Sequence, residues 1–249
     1  MKIISLGWGV QSFTLAVMSA LGDLDKVYAA VHADTTHESI LTYQFAERWT
    51  NWLADFGVKV VTVKNEKNEV GVDGKIFIPA YTNTISGDGG QLLRQCTQRW
   101  KIAPLRRWLQ ANRNGEHVDQ LIGISLDEFQ RMRDSDIKYC SNIYPLIDKK
   151  MTRKDCEKYL STRGIEIPPK SACTFCPFHD TSEWMRISKT KQDFDNAVAL
   201  DERIRKVRPP YDLFVHPSRK PLSKIDFRTA EEQGQTSFWD SECQGICGV

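Results

Sequence analysis

The sequence predicts an α/β fold, a doubly wound parallel sheet, from three observations. An apolar run, Lys2-Ile3-Ile4-Ser5-Leu6, breaks at Gly7-Trp8-Gly9 and resumes as the helix-like stretch Ser12 to Met18. A second apolar run, Lys26 to Asp34, is followed by Leu41, Phe45, Trp49, Trp52 and Phe56, which recur at helical spacing until Gly57 stops them. Val58 to Lys64 then reads as a third strand. Strands alternating with helices are the pattern of a parallel sheet covered on both faces.

Taken in order, the first strand-to-helix junction is a natural anion site. Gly7 and Gly9 let the backbone approach a ligand closely, and a helix start points unpaired N–H groups and a positive dipole end at it. Asp34 and Thr35 close the second strand, and ligand groups in open parallel sheets gather at such carboxyl ends. His37 and Glu38 read as solvated helix-start residues, with an acid/base pair or metal ligands as the alternative. Trp49 and Trp52 read as core.

Residues 65 to 93 are polar and glycine-rich around an apolar island, Ile76 to Tyr81, and Gly87 to Gly90 read as a crossing loop or a lid. Arg94, Arg99, Lys101, Arg106 and Arg107 then make a dense positive field suited to phosphate or sulfate. Lys101 is the first candidate to meet an anionic substrate and Arg99 the second.

Val118 to Ser125 is a fourth parallel strand running into the charged turn Asp127-Glu128-Phe129-Gln130-Arg131, where Gly123, Asp127 and Arg131 are candidate ligand contacts. Tyr139 to Ile147 reads as a fifth strand. A helix starts at Thr152 with Asp155 three residues on, buries Cys156, and stops at Gly164. Residues 180 to 208 are amphipathic helix, and an extended tail begins at Pro209. The expected organisation is a nucleotide-binding domain over 1–165, a cysteine-motif module over 166–208 and a tail over 209–249.

With 249 residues, 41% of them hydrophobic, the chain can build one substantial core with a small appended module. A net charge of +2 excludes a global electrostatic case for nucleic-acid or membrane binding, so any basic site is local. No apolar run reaches the length of a membrane span and no charged-then-apolar leader precedes the first strand, so a cytoplasmic location is expected. Seven cysteines, an odd number, point to free, metal-bound or redox-active thiols rather than a disulfide framework.

The Cys173-Thr174-Phe175-Cys176-Pro177 segment follows Pro168-Pro169. A Cys-x-x-Cys in a proline-flanked loop lets both thiolates converge on one metal. A zinc site using His179 and a thioredoxin-like dithiol are the rivals.

Five stretches carry a resemblance. Gly7-Trp8-Gly9-Val10-Gln11-Ser12 resembles the PP-loop, Ser-Gly-Gly-x-Asp-Ser, of the ATP pyrophosphatase and phosphoadenosine phosphosulfate (PAPS) reductase superfamily, with Gly7, Trp8 and Gln11 departing from it. Asp34, Thr35, Thr42 and Tyr43 match the reductase text after the second strand. Cys96, Lys101, Pro104 and Leu105 match its Cys-Cys-x-x-x-Lys-Val-x-Pro-Leu signature, with Thr97 in place of the second cysteine. Glu242-Cys243 is similar to the reductases' terminal Glu-Cys-Gly, and Gly123, Asp127 and Arg131 fall in a text shared with relatives.

The resemblance implies an adenine nucleotide α-hydrolase fold. It implies ATP or PAPS held by Ser5, Gly7, Gly9, Gln11, Ser12, Asp34, Thr35, Gly123, Asp127 and Arg131, with Mg²⁺ on the phosphates. Lys101, Asp34 and Cys243 become the implied catalytic residues. Cys96, Cys173 and Cys176 become implied ligands of a [4Fe-4S] cluster whose fourth position is either open or filled by Cys243, Cys140 or Cys247, with Zn²⁺ as the alternative.

The implied activity is adenylation of an acceptor, with nucleic acid among the candidates, for sulfur transfer from a cluster or cysteine. The alternatives are a PAPS or adenylyl sulfate reductase using Cys243, and an idle nucleotide-binding subunit, which Trp8 and Gln11 favour. Implied partners are an adenine nucleotide, a sulfur donor, and either a second copy of the chain or a modification complex, without a membrane.

Overall fold

The computed structural model describes residues 1–66, 70–71, 74–83 and 89–228. Contacts divide the chain into two compact units, one made of residues 1–79 and 92–174, the other of residues 80–91 and 175 onward.

The first unit is an α/β layer structure. Its strands β1 (Lys2–Leu6), β2 (Ala29–Asp34), β3 (Val60–Lys64), β5 (Val118–Ile122) and β6 (Cys140–Ile143) form one sheet in the order β3-β2-β1-β5-β6, with every pairing parallel. Between β3 and β5 the chain also makes β4 (Tyr81–Asn83), which belongs to the other unit.

Helices α1 (Val10–Leu21), α2 (Ile40–Asp55) and α5 (Arg153–Ser161) contribute to a large core on one face, where Phe13, Leu15, Val17, Phe45, Leu53, Cys156 and Leu160 are buried against Ile4 and Leu6. Trp49 and Trp52 pack against this core, as their spacing predicts. On the other face α3 (Ala103–Asn112) buries Leu105 and Leu109 with Ile3, Val31 and Val118. The expected start of α5 is present in full: Thr152 accepts from Asp155 N while the Asp155 carboxylate accepts from Thr152 N.

Two strand expectations are corrected at their ends. The fifth strand stops at Ile143, because Pro145 lacks the N–H a ladder needs and instead opens the short helix α4 (Pro145–Asp148). The fourth stops at Ile122, just before Gly123.

The second unit contains α6 (Thr181–Ser188), α7 (Lys191–Ile204) and β7 (Asp212–Phe214), which pairs antiparallel with β4. The Asp201 carboxylate, almost wholly buried on α7, accepts from Val215 N at 2.9 Å and Leu222 N at 3.0 Å and pairs with Arg205. Residues 209 to 228 therefore include a paired strand and a 3₁₀ turn rather than only extended tail. Gly87, Glu242, Cys243 and Cys247 lie outside the described residues. No helix among the described residues is long and apolar enough to cross a membrane.

Candidate functional site

The sheet order makes the site. β1 has β2 on one side and β5 on the other, so the chain crosses in opposite directions from it, and a crevice opens beyond the carboxyl ends of β1 and β5. That crevice, of about 400 Å³, is lined by Ser5, Gly7, Gly9, Gln11, Ser12, Gly123, Lys101 and Arg131 from the sequence-predicted set. Glu128, Arg153, Lys170 and Ser171 line it as well and were not predicted.

The glycine loop is closed by its own serine. Ser12 Oγ accepts from Gly7 N at 3.0 Å and donates to the Gly9 carbonyl at 3.2 Å. Helix α1 begins at Val10 with Gly9 at its N-cap and no side-chain cap, so its first-turn N–H groups are the ones a bound anion can satisfy. Gly123 passes directly over this turn: a Cβ there would stand 2.5 Å from Ser12 N. Only glycine allows β5 to end so close to the helix start.

Two of the three departures from the PP-loop text, Trp8 and Gln11, have structural accounts. Trp8 takes φ +56°, the left-handed conformation for which glycine is the ordinary residue, and its indole is 1% exposed among Phe13, His32 and Phe45. It is a core residue and does not line the crevice. Gln11 Nε2 donates to Ser125 Oγ at 3.3 Å and Glu128 Oε2 at 3.1 Å, and its Oε1 accepts from Arg153 at 3.4 Å. The amide thus holds two charged neighbours of opposite sign at the edge of the crevice.

The basic stretch does not form one positive face. Residues Thr97–Ile102 make a π-helical turn ahead of α3. From it Arg99 lays its guanidinium over Phe77, 3.8 Å from the ring centroid, and Lys101 turns into the crevice. Arg106 pairs with Asp136. The expectation of a shared phosphate field is therefore corrected to Lys101, joined by Arg131, Arg153 and Lys170 from other elements.

Glu38 overturns its reading as a solvated residue. It precedes α2, whose N-cap is Ser39, and is 5% exposed. Its Oε1 lies 3.6 Å from Lys101 Nζ. Burial works against the lysine's charge, but the Glu38 carboxylate and the Cys173 sulfur outweigh it and raise its pKa above the ordinary lysine value.

The strand-like segment before Thr174 is docked on the end of β2. Cys173 bridges Glu38 through the backbone, Thr174 N donates to the His37 carbonyl at 2.9 Å, and Cys173 Sγ donates to Thr35 Oγ1 at 3.4 Å. Ser171 Oγ reaches the Gly7 carbonyl at 2.5 Å.

Three predicted nucleotide contacts stand outside the crevice. Thr35 is buried under Cys173. Asp34 accepts from Tyr43 Oη at 2.9 Å and Thr36 N at 2.7 Å, and lines a separate pocket of about 220 Å³ with His32, Glu38 and Thr42. Asp127 accepts from Arg153 N at 3.0 Å, at the start of α5; hydrogen bonding from Ser125, first, and from that N–H hold its carboxyl below the ordinary range.

Of the predicted cysteine ligands, Cys96 is half-buried at the head of the π-helical turn, Cys173 belongs to the first unit and Cys176 to the second, where its carbonyl accepts from His179 N at 3.0 Å. Cys243 lies outside the described residues. Among the described residues no three His, Cys, Asp or Glu side chains gather as a metal centre would need.

Compared with known proteins, the chain matches no family model and no curated protein. What the fold and site define is an α/β protein with a cation-lined crevice at the glycine loop after its central strand.

Proposed function

We propose that the chain is an ATP-pyrophosphatase-like enzyme that adenylates an acceptor for replacement of an oxygen by sulfur. The observation that carries this reading is the crevice itself: an uncapped helix start, a glycine loop and four cationic side chains meet where the sheet's crossing direction reverses. The six-residue resemblance to the PP-loop falls on that spot. The buried Trp8 supports an active loop over an idle one, since its departure from the pattern is absorbed by the core.

On this reading the polyphosphate lies on the N–H groups of Val10, Gln11 and Ser12, with Lys101, Arg131 and Arg153 offsetting the charge that develops as pyrophosphate leaves. An acceptor oxygen attacks the α-phosphorus, the bond to the β-phosphate oxygen breaks, and the adenylated oxygen becomes a leaving group. A sulfur nucleophile then displaces AMP. Mg²⁺ on the phosphates would neutralise further charge. A [4Fe-4S] cluster, for which the resemblance implies Cys96, Cys173 and Cys176, with Cys243 a candidate fourth ligand, would supply bound sulfur; the adenylation steps do not depend on it.

Turnover of ATP labelled at the α-phosphate tests the reading. AMP and pyrophosphate in equal amounts are expected from the purified chain in the presence of a nucleic-acid extract and a sulfide source. ADP and phosphate would refute it, and sulfite release from PAPS with a thiol donor would favour the reductase.

A further inference from the structure

Glu38 is buried without the donors a buried carboxylate requires. Its side chain is 1% exposed. Oε1 has no hydrogen-bond partner. Oε2 lies 3.1 Å from Ser171 Oγ, but that hydroxyl has a single hydrogen and is also 2.5 Å from the Gly7 carbonyl. Burying a carboxylate this way is costly unless its charge is used. The charge within reach is the Lys101 ammonium at 3.6 Å, on a flexible stem that is 43% exposed.

We infer that Glu38 is the positioning residue of the site: its carboxylate holds the Lys101 ammonium at the crevice of the glycine loop. Lys101 lines the crevice, whereas Glu38 lines the smaller pocket beside it, with His32, Asp34 and Thr42. The carboxylate therefore restrains the lysine from outside the crevice and does not itself confront an anionic ligand. A lysine fixed in advance loses less entropy when phosphate binds. The value of that restraint to catalysis rests on the proposed function; the restraint itself does not.

The test is NMR on the full chain carrying lysine labelled with ¹³C at Cε, the Lys101 signal being assigned by its loss in Lys101→Arg. A held ammonium makes its two Hε protons inequivalent, and a freely rotating one averages them. Two separate Hε shifts are expected for Lys101 in the native chain, merging in Glu38→Gln and in Glu38→Met, the latter an apolar replacement that needs no donors, with the other lysines unchanged. An already averaged native signal, or a split that persists in whichever variant folds, overturns the inference. Adding inorganic pyrophosphate separates the two claims: if the split behaves as expected but pyrophosphate leaves Lys101 unmoved, the positioning stands and the phosphate role falls.

Discussion

A Cβ on Gly123 would stand 2.5 Å from the amide nitrogen of Ser12, so the end of β5 and the start of α1 are in contact through a position that only glycine can fill. Gly123→Ala must push the two apart. The expected result is a loss of about 1–3 kcal/mol in stability from overpacking, together with weakened pyrophosphate binding because the first-turn N–H groups move. Urea unfolding and titration calorimetry measure the two effects. An alanine variant as stable and as tight as the native chain would mean that the contact is not rigid.

Lys101 and Arg99 sit two residues apart in one π-helical turn but face different surroundings. Lys101→Met should weaken pyrophosphate binding by about 1.5–3 kcal/mol, the range for a charged hydrogen bond. Arg99→Met should leave binding within about twofold and cost some stability through its lost packing on Phe77. Equal losses from both would restore the shared positive face that the sequence suggested.

His32 carries a pH prediction. It is buried, its Nδ1 donates to the Leu6 carbonyl at 3.0 Å, and burial holds its pKa below the ordinary value of 6.5. The unfolded chain therefore takes up a proton near that pH while the folded chain does not, so the contribution of His32 is intact above it and lost as pH falls. Urea midpoints should drop between pH 7.5 and 5.5, and more steeply in the native chain than in His32→Asn. A steeper drop in the variant would reverse the sign.

Cys156 is fully buried in the main core and burial pushes its thiol up to about 12. Cys96 is half-buried at the head of a turn. Iodoacetamide at pH 8 should modify Cys96 in the folded chain and reach Cys156 only after unfolding. Peptide mass spectrometry reads both, and matched rates in the folded chain would contradict the packing.

Much of this site was legible because it is local. The loop Gly7 to Ser12 interrupts an apolar run, and Gly123 and Arg131 follow another, so a strand-to-helix reading locates all of them. Glu38 was misread because a polar residue ahead of a helix looks solvated when its distant neighbours are unknown; Ser171, which meets it, is far away in the chain. Arg153 was hidden for the same reason, its site role arising from a chain return that brings the start of α5 to Gln11. Charge density misled at Arg99, since a run of basic residues does not tell which direction each side chain takes.

The central claim, that nucleotide phosphates rest on the start of α1, is tested most directly by following backbone amide resonances during titration with inorganic pyrophosphate and then ATP. The largest shifts are expected at Gly9, Val10, Gln11 and Ser12, followed by Gly123 and Lys101. Shifts confined to other parts of the sheet, or none at saturating ligand, would contradict the account.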